Sequence, residues 1–191
     1  LVKDAQAKVI KIIRRRIDPD GVSEVAITPQ GDRRIVVEAP GEADPRRIKD
    51  ILGRAGRMTF NMANVGPSAI RAAETVRPQR GWELLNDQGR PILVNKTPVI
   101  TGSEIATASR GFDPDNNAPA VNFSLSGAAK TRFGNITAQN PGKVFAIVLD
   151  DQVMSAPRIN EPIYGGNVQI TGQFTIDEAD DLAAIIQAGE L

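Results

Sequence analysis

Six consecutive apolar residues, Val144 to Leu149 (Val-Phe-Ala-Ile-Val-Leu), constrain this chain more than any other stretch. A strand with one wet face alternates apolar and polar side chains, because successive side chains point to opposite faces. This run does not alternate, so structure must cover it on both sides. It ends in Asp150-Asp151, and two carboxylates at the mouth of a buried strand raise the question of an acid–base pair. Neighbours on a strand point apart, whereas a working dyad draws its members from separate segments that face each other. Aspartate also accepts the left-handed geometry of tight turns. Leu-Asp-Asp-Gln-Val therefore reads as a two-residue hairpin corner.

The N-terminal stretch places Ala5, Val9, Ile12, Ile13 and Ile17 at helical spacing. The arginines Arg14 to Arg16 suit the end of that helix and read as a solvated terminus rather than an anion site. Val25 and Ile27, then Ile35 and Val37, alternate around Pro-Gln-Gly-Asp and predict a hairpin. Asp44 is the expected N-cap of a short helix that starts at Pro45 and closes at Gly53. Met58, Phe60 and Met62 alternate as a strand. This α-β-β-α-β order fits a ferredoxin-like split βαβ unit that lacks one strand before its first helix.

Signals weaken from Asn64 to about Gly89, where a short helix in "GPSAIRAAETV" and a hairpin over Asn-Asp-Gln-Gly are expected. Further on, Thr101 to Glu104 reads as a capping box that opens a short helix. "GFDPDNNAPA" reads as a loop. Its Asp113, Asp115 and Asn117 resemble the start of a calcium loop, but Ala118 and Ser124 stand where the glycine and the bidentate glutamate belong, so no metal is assigned. "VNFSL" predicts a strand, Ser126 caps a helix carrying Ala129, Phe133 and Ile136, and "GGNVQITG" predicts another strand. Thr175 and Glu178 form a capping box for the last helix, 175–188, with Phe174 as its staple and Gly189 as its stop.

The expected fold class is α+β: an incomplete ferredoxin-like base over residues 1–65 and a second α+β unit with mainly antiparallel sheet over 66–191. Within the latter, 66–90 form a linker, and the last helix packs on either unit. Residues 1–65 carry 13 Lys+Arg against 9 Asp+Glu, and the remainder 10 against 14. The overall formal charge is zero, which argues against nucleic-acid binding. With no cysteine and no histidine in 191 residues, thiol nucleophiles, Ser-His-Asp triads, disulfides and the usual zinc sites are excluded. No Gly-rich phosphate loop occurs, and no Ser–Lys pair announces itself. No catalytic residue and no cofactor is assigned. The apolar runs are far shorter than the ~20 residues of a membrane span. The Leu1 start reads as that of an excised piece of a longer protein.

Arg16, Ile17, Asp18, Gly21, Val22, Ser23 and Glu24, followed by "RIVVEAPG", "DPRRIKDILGRAGRMTF" and a C-terminal stretch through Ser155, Ala156, Pro157, Gly165, Gly166, Ile170, Thr171 and Gly172, resemble the large periplasmic domain of the SecD family. Val25 departs from the proline common there, and Asp151 from a glycine, which supports the turn. The resemblance implies a periplasmic domain, with a base and a moving head, of an inner-membrane subunit. With SecF and SecYEG, that subunit uses the proton-motive force to promote preprotein export. It implies no catalysis in this stretch.

A binder of varied unfolded chains needs affinity independent of side-chain identity, through strand edges or shallow apolar clefts. Such edges need guarding. "SAPRINEPIYGG" has that composition, so Ile159, Ile163 and Tyr164, with Phe112, are the candidate polypeptide contacts. Open edges in the base predict weak self-association. The alternative reading is a regulatory small-molecule or protein-interaction domain on a ferredoxin-like scaffold.

Overall fold

The computed structural model describes residues 2–18, 24–40, 45–75 and 78–190. The expected cap Asp44 and the Gly21-Val22-Ser23 part of the motif lie outside them. The chain runs α1 (Val2–Ile17), β1 (Ala26–Gln30), β2 (Arg34–Glu38), α2 (Pro45–Gly53), β3 (Met58–Asn64), α3 (Pro67–Thr75), β4 (Trp82–Asp87) and β5 (Arg90–Asn95). It continues with β6 (Ile100–Thr101), a 3-10 turn (Gly102–Glu104), β7 (Ile105–Phe112), β8 (Pro119–Leu125), α4 (Gly127–Gln139), β9 (Val144–Leu149), β10 (Gln152–Ser155), β11 (Asn167–Ile170) and α5 (Ile176–Ala188). The α+β class holds.

The strands form a β1–β2 hairpin, a sheet ordered β10-β9-β3-β5-β4 with β6 beside β3, and a sheet ordered β11-β8-β7. All described ladders are antiparallel. Strand β3 does not extend the hairpin. It pairs with β9 from Met58↔Leu149 to Ala63↔Val144, and on its other side with β6 and β5. The expected division near residue 65 thus runs between a central strand and its partners.

The apolar run is covered on both faces. Phe145, Ile147 and Leu149 join a core with Met58, Phe60, α4 and α5, while Val144, Ala146 and Val148 meet Ala63, Ile92 and Val94 on the other side. On that second face the sheet curls until its end strands, β10 and β4, lie alongside each other without a ladder between them. Alanine and valine make up most of the buried lining on that face. Asn61 is buried there too. Its Nδ2 donates to the Asn95 carbonyl at 2.8 Å, and its Oδ1 has no partner among the described residues.

The two larger sheets are joined by aromatic rings. Phe60 meets Phe123 edge-on at 5.1 Å and Phe133 at 6.2 Å, and Phe133 meets Phe145 at 5.4 Å. Such pairs contribute about 0.5–1.5 kcal/mol each beyond the area they bury. Helix α5 packs on α1 and on β7–β8, so it touches both units rather than one. Gln187 Oε1 accepts the Ala108 N–H at 2.6 Å, and Arg110 pairs with Asp180 at 2.9 Å. The helix thereby shields the edge of β7.

The expected helix after Thr101 is corrected. Only one 3-10 turn forms, and Ile105–Phe112 is a strand paired along β8. A lone capping box cannot sustain a helix when the following residues, Ile-Ala-Thr-Ala-Ser-Arg, fit a half-exposed strand that has a partner waiting. Phe112, expected in a loop, is the last residue of that strand.

Candidate functional site

Asp150 and Asp151 are the two central residues of the β9–β10 turn, with φ of 49° and 64°. Both positive values define the mirror-image turn favoured in hairpins. The Asp150 carboxylate accepts the Gly56 N–H at 3.1 Å and the Arg57 N–H at 2.9 Å. Asp151 pairs with the Arg57 guanidinium at 2.7 Å in the open, where such pairs contribute little. The two carboxylates therefore tie a hairpin tip to the α2–β3 junction, and neither faces the other across a cleft.

Arg16 is not a solvated helix end, although Arg14 and Arg15 are exposed. It is 1% exposed. Its Nη1 donates to the carbonyls of Ile51 and Arg54, and its Nη2 to those of Ala55 at 2.9 Å and Gly189 at 2.8 Å. One guanidinium thus gathers carbonyls at the ends of α2 and α5, which carry partial negative charge. Burial pulls its pKa below the usual arginine value, and the charge of Asp150 opposes that shift. Gly56 makes room for it: φ there is +78°, and a Cβ would lie 2.2 Å from Nη2.

The four candidate polypeptide contacts do not form one surface. Ile159 is 1% exposed and packs in the main core, so it cannot serve as a surface contact. Its backbone, hydrogen-bonded on both sides to Gly142 and Lys143, pins the loop inward. Ile163 is half-buried against the same core. Tyr164 is 58% exposed, with its ring laid against Gly134 of α4. Phe112 is 47% exposed beneath the Arg110 guanidinium at 5.7 Å. Phe112 pairs with Pro119 at one end of β8, while the Tyr164 loop reaches the other end, where Leu125 N–H bonds Gly166. At ~3.3 Å per residue the two lie roughly 20 Å apart along the strand.

A better-formed site opens at one mouth of the curled sheet. Val65, Ile70, Pro91, Ile92, Val144 and Ala156 line an apolar groove of about 450 Å³, rimmed by Asp87, Arg90 and Arg158. Val65 and Ile70 are 41% and 49% exposed, whereas Ile92 is fully buried at the floor. Helix α3 creates the arrangement by turning Ala69 and Ala72 inward, onto the sheet face that carries Leu93, and Ile70 outward. The sequence reading passed over both groove residues because they fall in its weakly patterned stretch. The available signal was a helix whose small residues share one face while its isoleucine sits on another.

Two family models match: "SecDF, P1 head subdomain" over residues 75–191 and "Protein translocase subunit SecDF, P1 domain, N-terminal" over residues 6–65. The chain belongs to the SecD family. It is 40% identical over 193 residues to the protein translocase subunit SecD of Acetobacter pasteurianus, covering 99% of this chain and 36% of that one. It is 36% identical over 182 residues to the SecD subunit of Rickettsia bellii, covering 95% of this chain and 35% of that one. The chain thus spans about a third of these relatives.

Two solved structures are similar at 30% identity over 98% of the chain. One is described as "Structure and function of a membrane component SecDF that enhances protein export", with TM-score 0.72 and 88% of its chain covered. The other is a crystal structure of SecDF in a super-membrane-facing form, with TM-score 0.74 and 26% covered. Among the described residues no helix is long and apolar enough to cross a membrane. The SecD relatives are subunits of a protein translocase.

Proposed function

We propose that this chain is a non-catalytic, polypeptide-contacting part of a SecD-type translocase subunit. It stands on the periplasmic face of the inner membrane and works with SecF and SecYEG in export driven by the proton-motive force. The observation that carries the reading is the groove, which keeps Val65 and Ile70 in water above an apolar floor. Exposed apolar side chains gathered at a concave mouth are unfavourable unless a partner covers them. An emerging unfolded chain offers apolar side chains of many shapes, and a shallow groove accepts them without demanding one. Tyr164 and Phe112 extend the contact as outlying exposed rings, and Ile163 supports the Tyr164 loop.

The test places a photo-crosslinking residue at Val65, Ile70, Tyr164 or Phe112 and stalls a preprotein during export. Adducts are expected at Val65 and Ile70 first. Ile70→Ser should weaken binding of an unfolded polypeptide about fivefold, from loss of ~1 kcal/mol of apolar burial, without changing the fold. No adducts anywhere along the groove, with a working crosslinker on SecYEG as control, would overturn the reading.

A further inference from the structure

The sheet β11-β8-β7 turns one face to the phenylalanine core and α5, and on its other face, among the described residues, Thr107, Ser109, Asn122 and Asn167 are exposed. On that other face the registers align Thr107 with Ser124 and Ser124 with Asn167, then Ser109 with Asn122 and Asn122 with Gln169. Six side chains thereby stand in two rows of three. None is charged, in a chain where 24% of residues are, and none is a large apolar residue. A shallow depression of about 440 Å³ lies over the rows.

The rows are partly wired in advance. The Thr107 and Ser124 hydroxyls lie 2.6 Å apart, and Gln169 Nε2 donates to Asn122 Oδ1 at 2.7 Å. Asn122 is held flat across the neighbouring strand: a Cβ at Gly111 would fall 2.1 Å from its Nδ2, so only glycine permits the pose. That leaves the Asn122 amide N–H group, with the Ser109 and Asn167 side chains, without a side-chain partner among the described residues.

Residues two apart on a strand are ~6.7 Å apart, which is therefore the spacing between the rows. An extended polypeptide presents peptide N–H and C=O groups to one side with the same period. Hydroxyl and carboxamide side chains can donate or accept. Gln169 already donates to Asn122 Oδ1 and to the Phe112 carbonyl, so it offers its Oε1 as an acceptor, while Asn122 offers its N–H group as a donor. We propose that this face binds the main chain of an extended, unfolded polypeptide laid parallel to β8, without regard to its sequence. The proposal rests on the polypeptide-binding reading above and gives it a second surface: the groove takes apolar side chains, and the rows take peptide groups. A neutral glycan would share the hydrogen-bonding chemistry. It usually needs an aromatic platform, and both rings of this sheet, Phe112 and Phe123, alternate onto the opposite side.

The test measures binding of an unstructured uncharged peptide, the same peptide N-methylated at alternate backbone nitrogens, and a neutral oligosaccharide. Methylation should weaken binding to the wild-type chain about tenfold, since it removes the donors that the rows would accept. Asn122→Ala with Gln169→Ala should weaken the unmethylated peptide several-fold and narrow the difference between the two peptides, since Gln169 Oε1 is one of the acceptors that methylation leaves without a donor. Raising the salt concentration should change neither. If the peptide binds but neither methylation nor the double variant matters, the face is wrong and the groove alone carries binding. If no peptide binds at all, the functional reading falls together with this proposal. Competition by the oligosaccharide at equal concentration would overturn it in favour of a glycan site.

Discussion

At the scale of single residues, Arg16 shows how a surface motif can conceal a buried joint. Its charge is affordable because four carbonyls surround it. Arg16→Ala is expected to strand those carbonyls and cost about 3 kcal/mol, read as a lower urea midpoint at unchanged slope. Arg16→Lys should recover only part of this, because an ammonium with three donors cannot reproduce the planar fork. The run of three arginines was visible in the sequence, but which one turns inward was not. That depends on α2 and α5 ending at one place, and Gly189 is remote from Arg16 along the chain. Asp150 and Asp151 were legible as a turn because two-residue hairpins obey local rules. Ile159 was not legible as core, since an isoleucine between prolines looks the same whether its loop folds inward or hangs outward.

At the scale of elements, the cap of the last helix and the all-apolar strand were read well, and the half-exposed polar strand β7 poorly. Helix α5 follows its sequence closely: the Thr175 hydroxyl accepts the Glu178 N–H at 3.2 Å, Glu178 accepts the Thr175 N–H at 2.8 Å, and Gly189 ends the helix with φ of 83°. Thr175→Ala is expected to cost about 1 kcal/mol in chemical denaturation. The 3-10 turn before β7 carries a similar box, and its Glu104 also pairs with Arg132. Partial burial alone would raise the Glu104 pKa. The bonds from Arg132 and Thr101 outweigh it, so the carboxyl sits below the usual range. A carboxyl lowered in the fold adds stability above its unfolded pKa of about 4.3 and loses it as pH falls through the folded value. Stability should therefore fall on acidification below about pH 4.3, and Glu104→Gln should flatten that fall in urea titrations at stepped pH. Strand β7 escaped the sequence reading because its exposed Thr, Ser and Gly carry no apolar rhythm, and only β8 explains them.

For the whole molecule, the α+β class could be read from element order, but the sheet topology could not. Alternation marked Met58–Met62 as a strand, and the all-apolar run marked Val144–Leu149 as covered on both faces. Nothing local says that these two pair. The hairpin β1–β2 pairs with no other described strand, and a two-stranded sheet is marginal alone. Its edges should allow weak self-association. Sedimentation velocity is expected to show a rising weight-average mass at high concentration, which Val36→Pro should suppress, and a monomer throughout would refute it.

Strand β3 has a further consequence. Its partner β9 lies roughly eighty to ninety residues downstream, so its pairing has high contact order and cannot begin while the chain is still being made up to that point. During that interval β5 and β6 can pair with one edge of β3, while its other edge waits open. Until then the nascent chain carries an open apolar edge of its own, which only its later residues can close.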